Sequence, residues 1–303
     1  MTWRSILCAF LLLLGALAVA AEPASQTEVE PFTLGDLSAR PGEQTSGFLE
    51  VPRGVDEGTR IPVTLIHGME PGPVLALIAG THGSEYAPIL ALQWLRSHIH
   101  PGNLSGTLIL VHIANLPSFL GRTVYYSPVD GKNLNRVYPG RADGTLSERI
   151  ADTITRGIIE RADYVIDLHC GDGNEALRPY TYWMKTGNAE IDEASKKLAL
   201  AFGVDHIVID TNRPNDPQGS IYTSNAALTR GKPALTTETG QRGETEYEQI
   251  MFAWRGVHQV LAYLGMMDLP HLDAMSRRAQ ERLRLESVAR EIRSNLGTIE
   301  QTL

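Results

Sequence analysis

The clearest candidates for chemistry are a histidine and a glutamate three positions apart, His82 and Glu85, in the segment 80–85 (GTHGSE). Residues at this spacing lie on one side of a helical turn, so both side chains can reach one ion. Imidazole nitrogens and carboxylate oxygens are ordinary ligands of zinc. The pair alone is a weak indication of a metal site, because this spacing often arises by chance.

A second histidine, His169, ends the segment 167–169 (DLH). With His82 and Glu85 it would complete a set of two histidines and one glutamate, which leaves one zinc position open for water. Asp167 is two residues earlier and therefore on the same face of an extended strand. It could orient the His169 ring or occupy another place in the site.

Two further motifs offer groups that bind a substrate or move a proton. Residues 133–140 (NLNRVYPG) contain Asn135 and Arg136, an amide and a guanidinium that can hold a carboxylate or an oxyanion. Residues 236–240 (TTETG) contain Glu238, whose carboxylate could act as a general base beside a metal-activated water. A surface salt bridge for Arg136 and a structural role for Glu238 are the alternatives.

The hydrophobic pattern places these motifs at or just past the ends of predicted strands. Continuous apolar runs predict buried strands over 74–79, 164–168 and 234–237. Each of these strands ends directly before, or inside, one of the motifs 80–85, 167–169 and 236–240. Further strands are predicted over 47–51, 61–67, 107–113 and 207–209, and helices over 87–98, 146–161, 188–202 and 246–264. This alternation indicates an α/β sandwich around a mostly parallel sheet, which binds ligands at the carboxyl ends of its strands.

Together and in this order, the four motifs resemble those of the succinylglutamate desuccinylase/aspartoacylase family of zinc-dependent amidohydrolases, relatives of the zinc carboxypeptidases. The resemblance covers about residues 74–264, and the joint pattern is far more specific than any one motif. It implies a carboxypeptidase-like three-layer α/β sandwich around a mostly parallel, mixed sheet. It also implies one Zn²⁺ ion per chain.

The resemblance implies a role for each matched residue. Glu238 matches the glutamate that activates the zinc-bound water and then protonates the leaving amine. Asn135 and Arg136 match the pair that binds the substrate carboxylate, and Arg136 is also a candidate for polarising the scissile carbonyl. The implied zinc ligands are His82, Glu85 and His169.

We therefore expect zinc-dependent hydrolysis of a carbon–nitrogen bond in a small anionic N-acyl amino acid. The alternative enzyme is a zinc metallocarboxypeptidase acting on peptides or cell-wall fragments, which would use the same zinc and Glu238. A metal-containing binding protein without activity is a third interpretation. Such a protein would usually lack the base or the carboxylate-binding pair, and this chain retains both.

Both ends of the chain depart from the family pattern. Members usually follow the zinc domain with a smaller β-rich domain, whereas residues 271–303 predict an amphipathic helical tail. Arg4 and the apolar run 6–21 predict a signal peptide over 1–21, too short for a spanning helix of about 20 residues. An uncleaved anchor is the alternative. We expect a leader over 22–46, a hydrolase domain over 47–270, and a periplasmic or secreted protein.

The amino-acid composition argues against nucleic acid as a partner. The 27 Lys and Arg against 35 Asp and Glu give a net charge of −8, with no basic stripe for nucleic acid. We expect no stable membrane insertion once the signal is removed. Cys170 is expected to be a packed thiol, because a fourth protein ligand would close the zinc site to water. Arg122, Arg178 and Tyr180 are further candidate substrate contacts.

Overall fold

A computed structural model describes residues 29–268 of the chain. Its strands are β1 (Phe32–Leu34), β2 (Leu37–Ala39), β3 (Glu43–Val51), β4 (Thr59–His67), β5 (Glu70–Ala79), β6 (Ser105–Val111), β7 (Tyr164–His169), β8 (Tyr180–Met184), β9 (Ile207–Asp210) and β10 (Ala234–Glu238). Its α-helices are α1 (Tyr86–His98), α2 (Leu116–Gly121), α3 (Leu146–Gly157), α4 (Ala189–Phe202), α5 (Thr223–Leu228) and α6 (Tyr247–Tyr263).

Eight strands form one mixed sheet in the order β3-β4-β6-β5-β7-β10-β8-β9. The four central strands β6, β5, β7 and β10 are parallel, and β4 and β8 run antiparallel to them. The α/β fold expected from the alternating pattern is confirmed. Strands β1 and β2 form a separate antiparallel hairpin.

Both faces of the sheet are covered, which gives the expected three layers. Along β5, Leu75, Leu77 and Ala79 pack into a core cluster with α1, α4 and α6, whereas Ala76 and Ile78 pack into the cluster with α3 and α5. Alternate residues of a strand point to opposite faces, so a strand buried on both faces is apolar throughout. That is the physical reason for the uninterrupted run at 74–79.

The winding of the chain reverses at the centre of the sheet. Strand β5 continues through α1 to β6 on one side, while β7 lies on the other side of β5. Open α/β sheets bind ligands at such a reversal, outside the carboxyl ends of the strands. Strands β5, β7 and β10 all end at this edge, and each end carries one of the candidate motifs.

Two differences from the sequence-based expectation concern the start of β5 and three short elements. Strand β5 begins at Glu70 rather than at Val74, and its pairing with β6 shifts between these residues. The strand therefore includes Pro71, Gly72 and Pro73, residue types that are uncommon inside strands and are accommodated at this irregularity. Strand β8 and helices α2 and α5 are short and were not predicted.

The leader predicted over 22–46 is in part a folded segment, and its residues 22–28 lie outside the described residues. From Phe32 it contains the β1–β2 hairpin and the start of β3, and Leu34 and Ala39 are buried in the core. This packing could not be predicted, because Leu34 and Ala39 lie in a polar stretch with too few apolar residues to form a sustained hydrophobic pattern.

The predicted signal peptide over 1–21 and the predicted helical tail over 271–303 lie outside the described residues. Over 29–268, no helix combines the length and the apolar character required to cross a bilayer.

Candidate active site

The turn between β5 and α1 carries His82 and Glu85. Gly80 adopts a left-handed φ of +70°, which turns the chain away from the end of β5. Gly83 has no such φ, but a Cβ at this position would lie 2.3 Å from the backbone carbon of Ser118. The turn therefore packs directly on α2, and the absence of a side chain at Gly83 allows that approach.

The three candidate metal ligands come together at the edge of the sheet. One ligand atom each from His82, Glu85 and His169 lies within 4.8 Å of the other two, and all three residues are buried. The Nδ1 atom of His82 is 2.6 Å from Glu85 Oε1, and the Nδ1 atom of His169 is 2.8 Å from Glu85 Oε2. Both imidazoles thus turn the same nitrogen toward one carboxylate.

This cluster fits a zinc ion. Two imidazole nitrogens and a carboxylate oxygen are the protein ligands of many catalytic zinc sites. Glu85 Oε2 is buried and accepts no well-aligned hydrogen bond from residues 29–268, which suits an oxygen that faces a cation. Burial would raise the pKa of Glu85, but the charges of His169 and His82 outweigh it and lower the pKa to about 2.

Asp167 faces the other side of the His169 ring. Its Oδ1 atom is 3.0 Å from His169 Nε2, and its side chain is fully buried. Burial lowers the pKa of His169, but the charges of Asp167 and Glu85 outweigh this and hold the pKa well above its usual value. Asp167 is therefore placed to orient the ring so that Nδ1 faces the metal position.

Glu238 ends β10 beside this cluster, at the position paired with His169 in β7. Burial raises the pKa of its carboxyl group to about 8; the charge of His169 opposes this rise, and the charges of Glu85 and Asp167 add to it. A group that gains and loses a proton near neutral pH is suited to general acid–base work.

A pocket of about 310 Å³ joins these groups to the substrate-binding candidates. It is lined by His82, Glu85, Tyr125, Asn135, Arg136, His169, Glu175, Leu177, Tyr180, Tyr182, Met184, Arg213, Tyr222, Ser224, Thr236 and Glu238. The six residues to which the family resemblance assigns a role are all in this set: His82, Glu85, Asn135, Arg136, His169 and Glu238. A single pocket can therefore present a metal, a base and a guanidinium to one small molecule.

Asn135 and Arg136 lie in a short 3-10 turn, Leu134–Arg136. Asn135 is buried, and its Oδ1 atom accepts hydrogen bonds from the backbone N–H and the hydroxyl of Thr223 at 3.0 and 3.2 Å. Arg136 is exposed at the pocket and donates from Nη1 to the carbonyl oxygen of Asn135 at 2.7 Å. It forms no ion pair with any residue of 29–268, so its charge remains available to a ligand.

Of the three further candidate substrate contacts, only one lies in the pocket. Tyr180 lines the pocket, at the position of β8 paired with Glu238. Arg178 instead forms an ion pair with Asp205 on the surface, and Arg122 caps the end of α2 with a left-handed φ of 53°. Neither arginine lines the pocket.

Cys170 is buried next to His169 but is not in the ligand cluster found among the described residues. Burial raises the pKa of its thiol, so the sulfur stays protonated and packs as a small apolar group. This arrangement agrees with the expected packed thiol.

Several pocket residues were not found from the sequence. Tyr125 packs edge-on against His82, with ring centroids 5.2 Å apart, and its hydroxyl donates to Glu175 Oε1 at 2.9 Å. Tyr222 and Arg213 also line the pocket. Tyr125 is close to the 133–140 motif along the chain, which is a weak signal; Arg213, in a polar loop, has none.

Comparisons with known proteins identify the family of this chain. Residues 71–264 match the sequence model of the succinylglutamate desuccinylase/aspartoacylase catalytic domain. The chain is 34% identical over 227 residues to an N-alpha-acetyl-L-2,4-diaminobutyric acid deacetylase from Halomonas elongata. That match covers 73% of this chain but 64% of the relative, so the chain spans less than two thirds of the relative's length.

Solved structures give the same result. A succinylglutamate desuccinylase from Silicibacter sp. superimposes with a TM-score of 0.69 and 28% identity, covering 78% of this chain and 70% of that one. The product-bound ectoine utilization protein EutE from Ruegeria pomeroyi gives a TM-score of 0.68 and 28% identity, covering 80% and 72%. The chain belongs to the succinylglutamate desuccinylase/aspartoacylase family.

Proposed function

We propose that this protein hydrolyses the amide bond of small N-acyl amino acids and uses zinc as its metal. The observation that carries the proposal is the position of Glu238, which lies beside the ligand His169 in the pocket that also presents Arg136. These three groups correspond to the three requirements of the reaction: a metal, a proton carrier and a site for the substrate carboxylate.

His82, Glu85 and His169 would hold the zinc ion. When bound, zinc supplies a Lewis acid for the scissile carbonyl and lowers the pKa of water toward about 7. Asp167 keeps the His169 ring in place, and the tight turn at Gly83 holds His82 and Glu85 beside it. These residues set the geometry of the site before any substrate enters.

Glu238 carries the proton in this proposal. As a carboxylate it accepts a proton from the attacking water, and as a carboxylic acid it donates that proton to the departing nitrogen. Its raised pKa makes the protonated form accessible near neutral pH. The same group can therefore serve both half-reactions without an external acid.

Arg136 and Asn135 would hold the carboxylate of the amino-acid product portion. The guanidinium offers paired N–H donors. The Asn135 oxygen is already occupied by Thr223, and its N–H₂ group lies 3.4 Å from His169 Nε2, so Asn135 can offer a ligand only the remaining N–H of that group. The Halomonas relative is named as a deacetylase of an N-acetylated amino acid, which supports removal of an acyl group from an amino acid over peptide trimming as the reaction.

The test is hydrolysis by the zinc-loaded protein of N-acetyl- and N-succinyl-L-amino acids, compared with tri- and tetrapeptides, with release of free amine as the readout. We expect the N-acyl amino acids to be preferred and Glu238→Gln to be inactive. Preference for the peptides would support a metallocarboxypeptidase instead. Zinc binding with no turnover of either class would support a binding protein and overturn the proposal.

We further propose that the protein is exported to the periplasm or beyond by its N-terminal 21 residues. N-terminal sequencing of the protein recovered from a bacterial periplasmic fraction should then begin at Ala21 or Glu22. Retention of Met1 in a cytoplasmic fraction would contradict export.

A further inference from the structure

Two guanidinium groups contact one tyrosine ring in the pocket. The guanidinium carbon of Arg213 lies 3.7 Å from the ring centroid of Tyr222, and that of Arg136 lies 4.7 Å from the same centroid. Both distances are within the range of a cation–π contact. Tyr222 thus connects the expected carboxylate-binding arginine to a second arginine with no assigned role.

The two arginines differ in their charge partners. Arg213 Nε is 2.6 Å from Asp210 Oδ2, and both side chains are only 18% exposed, so this cation is neutralised by a protein carboxylate. Arg136 has no carboxylate partner among residues 29–268. Two unpaired cations on one ring would repel each other. The ion pair with Asp210 therefore lets Arg213 support the ring while only Arg136 presents a free charge.

Thr223, the residue after Tyr222, holds Asn135, the other member of the proposed carboxylate-binding pair. The backbone N–H and the hydroxyl of Thr223 both donate to Asn135 Oδ1. Two adjacent residues at the start of α5 thus contact the binding pair. Thr223 holds Asn135 through hydrogen bonds, and Tyr222 contacts Arg136 through its aromatic ring. Because Arg136 is exposed and has several rotatable bonds, the ring contact restricts the orientations of its guanidinium.

We propose that Tyr222, supported by the Arg213–Asp210 pair, is a positioning residue that orients Arg136 for a substrate carboxylate. The inference rests on the proposed function for the identity of the carboxylate, but it concerns binding rather than turnover. The inference also predicts specificity. Because the Arg136 guanidinium is already oriented before a ligand binds, the pocket should bind a ligand with a free carboxylate more tightly than its neutral carboxamide analogue.

The experiment measures equilibrium binding by calorimetry in the zinc-loaded, full-length Glu238→Gln protein, so that no turnover is needed. The probes are N-acetyl-L-alanine and its neutral analogue N-acetyl-L-alaninamide. Tyr222→Leu should weaken binding of the carboxylate about five- to thirtyfold and leave binding of the amide unchanged. Arg213→Met should weaken carboxylate binding about three- to tenfold.

Two further variants distinguish positioning from a general structural effect. Tyr222→Phe keeps the aromatic ring and should restore carboxylate binding to within about twofold of the parent protein. Arg178→Met removes an exposed arginine outside the pocket and should leave both affinities unchanged. If Tyr222→Leu does not fold, as judged by thermal melting, Arg213→Met provides the same test without loss of the ring.

Equal losses for the carboxylate and the amide, or no loss in Tyr222→Leu and Arg213→Met, would overturn the inference. Failure of the parent protein to bind N-acetyl-L-alanine would overturn it as well. Selective binding without hydrolysis by the protein that retains Glu238 would sustain the inference while refuting the proposed function. If the protein hydrolyses N-acyl amino acids and neither Tyr222→Leu nor Arg213→Met changes this activity, the proposed function would be sustained and the inference about Tyr222 refuted.

Discussion

Glu238 and His169 occupy directly paired positions in the neighbouring parallel strands β10 and β7. Paired residues of parallel strands project toward the same face of a sheet, so the candidate base and a candidate metal ligand share one face at one edge. The residues two positions earlier, Thr236 and Asp167, are paired in the same way. Strand register therefore fixes the distance between the proposed proton carrier and the metal position.

The first prediction concerns metal content. The purified protein should contain about one zinc ion per chain, and His169→Ala should lose it, because two remaining ligands bind zinc weakly. Elemental analysis after dialysis provides the measurement. His206→Ala is the matched control, since the His206 side chain is exposed and pairs with Asp205 away from the pocket. Zinc retained in His169→Ala would remove His169 from the ligand set.

The second prediction separates chemistry from metal binding. Glu238→Gln should lower kcat about 10²- to 10⁴-fold, because the amide cannot accept the proton, while zinc content stays at the level of the unmodified protein. Steady-state kinetics and elemental analysis on the same preparation measure both. Glu193→Gln, on the exposed surface of α4, should change neither value. A Glu238→Gln protein that retains full activity would exclude Glu238 as the base.

The third prediction tests the turn that carries His82 and Glu85. Gly83→Ala should destabilise the protein by about 1–3 kcal/mol and weaken zinc binding at least about tenfold, because the added methyl group collides with the backbone of Ser118. Competition with a chelator measures the zinc affinity. Gly173→Ala should be neutral, since nothing lies within 4 Å of the Cβ position there. Equal effects at the two glycines would contradict this explanation.

The fourth prediction concerns a buried arginine in α3. Arg149 is almost fully buried, forms an ion pair with Asp56 at 2.7 Å, and donates to the carbonyl oxygens of Pro52, Gly144 and Glu57. Arg149→Ala should lower the free energy of unfolding by about 3–5 kcal/mol, because the variant loses this buried ion pair and leaves the buried carbonyl oxygen of Gly144 without its donor.

Urea denaturation measures that loss, and the same helix offers a matched control. Arg156 also forms an ion pair, with Asp152, but its side chain is 69% exposed. Arg156→Ala should therefore cost no more than about 1 kcal/mol. Similar values for the two variants would show that burial of Arg149 does not set its contribution.

The fifth prediction is a dependence of stability on pH. Glu148 accepts hydrogen bonds from the N–H and hydroxyl of Thr145 and lies 2.9 Å from Lys132 Nζ. Burial would raise its pKa, but the contacts with Lys132 and Thr145 outweigh this and lower the pKa to about 2. A lowered pKa means that the stabilisation is present above the usual value of 4.5 and is lost as pH falls toward about 2.

The measurement is the free energy of unfolding of the unmodified protein and of Glu148→Gln at several values between pH 6 and pH 3. The difference between the two should be largest at pH 6 and should shrink as the pH falls. A difference that stays constant with pH would show that the charge of Glu148 does not stabilise the helix start.

Much of the central sheet was predictable because burial leaves a direct mark on the sequence. The apolar runs at 74–79, 164–168 and 234–237 correspond to β5, β7 and β10, and the helix predicted over 87–98 corresponds to α1. Strands covered on both faces and helices of several turns have long, regular patterns. The β1–β2 hairpin and α5 were missed because three to six residues carry no measurable period.

The same distinction applies to the site. The sequence by itself determined which residues are candidates for metal binding and proton transfer. It also placed His82, Glu85, His169 and Glu238 at strand ends, because those groups follow recognisable buried strands. Tyr222, Arg213 and the orientation of Arg136 depend on loops that meet only in the folded chain. Contacts between residues far apart in sequence leave no local pattern, so only the tertiary structure decided how the proposed carboxylate-binding side of the pocket is built.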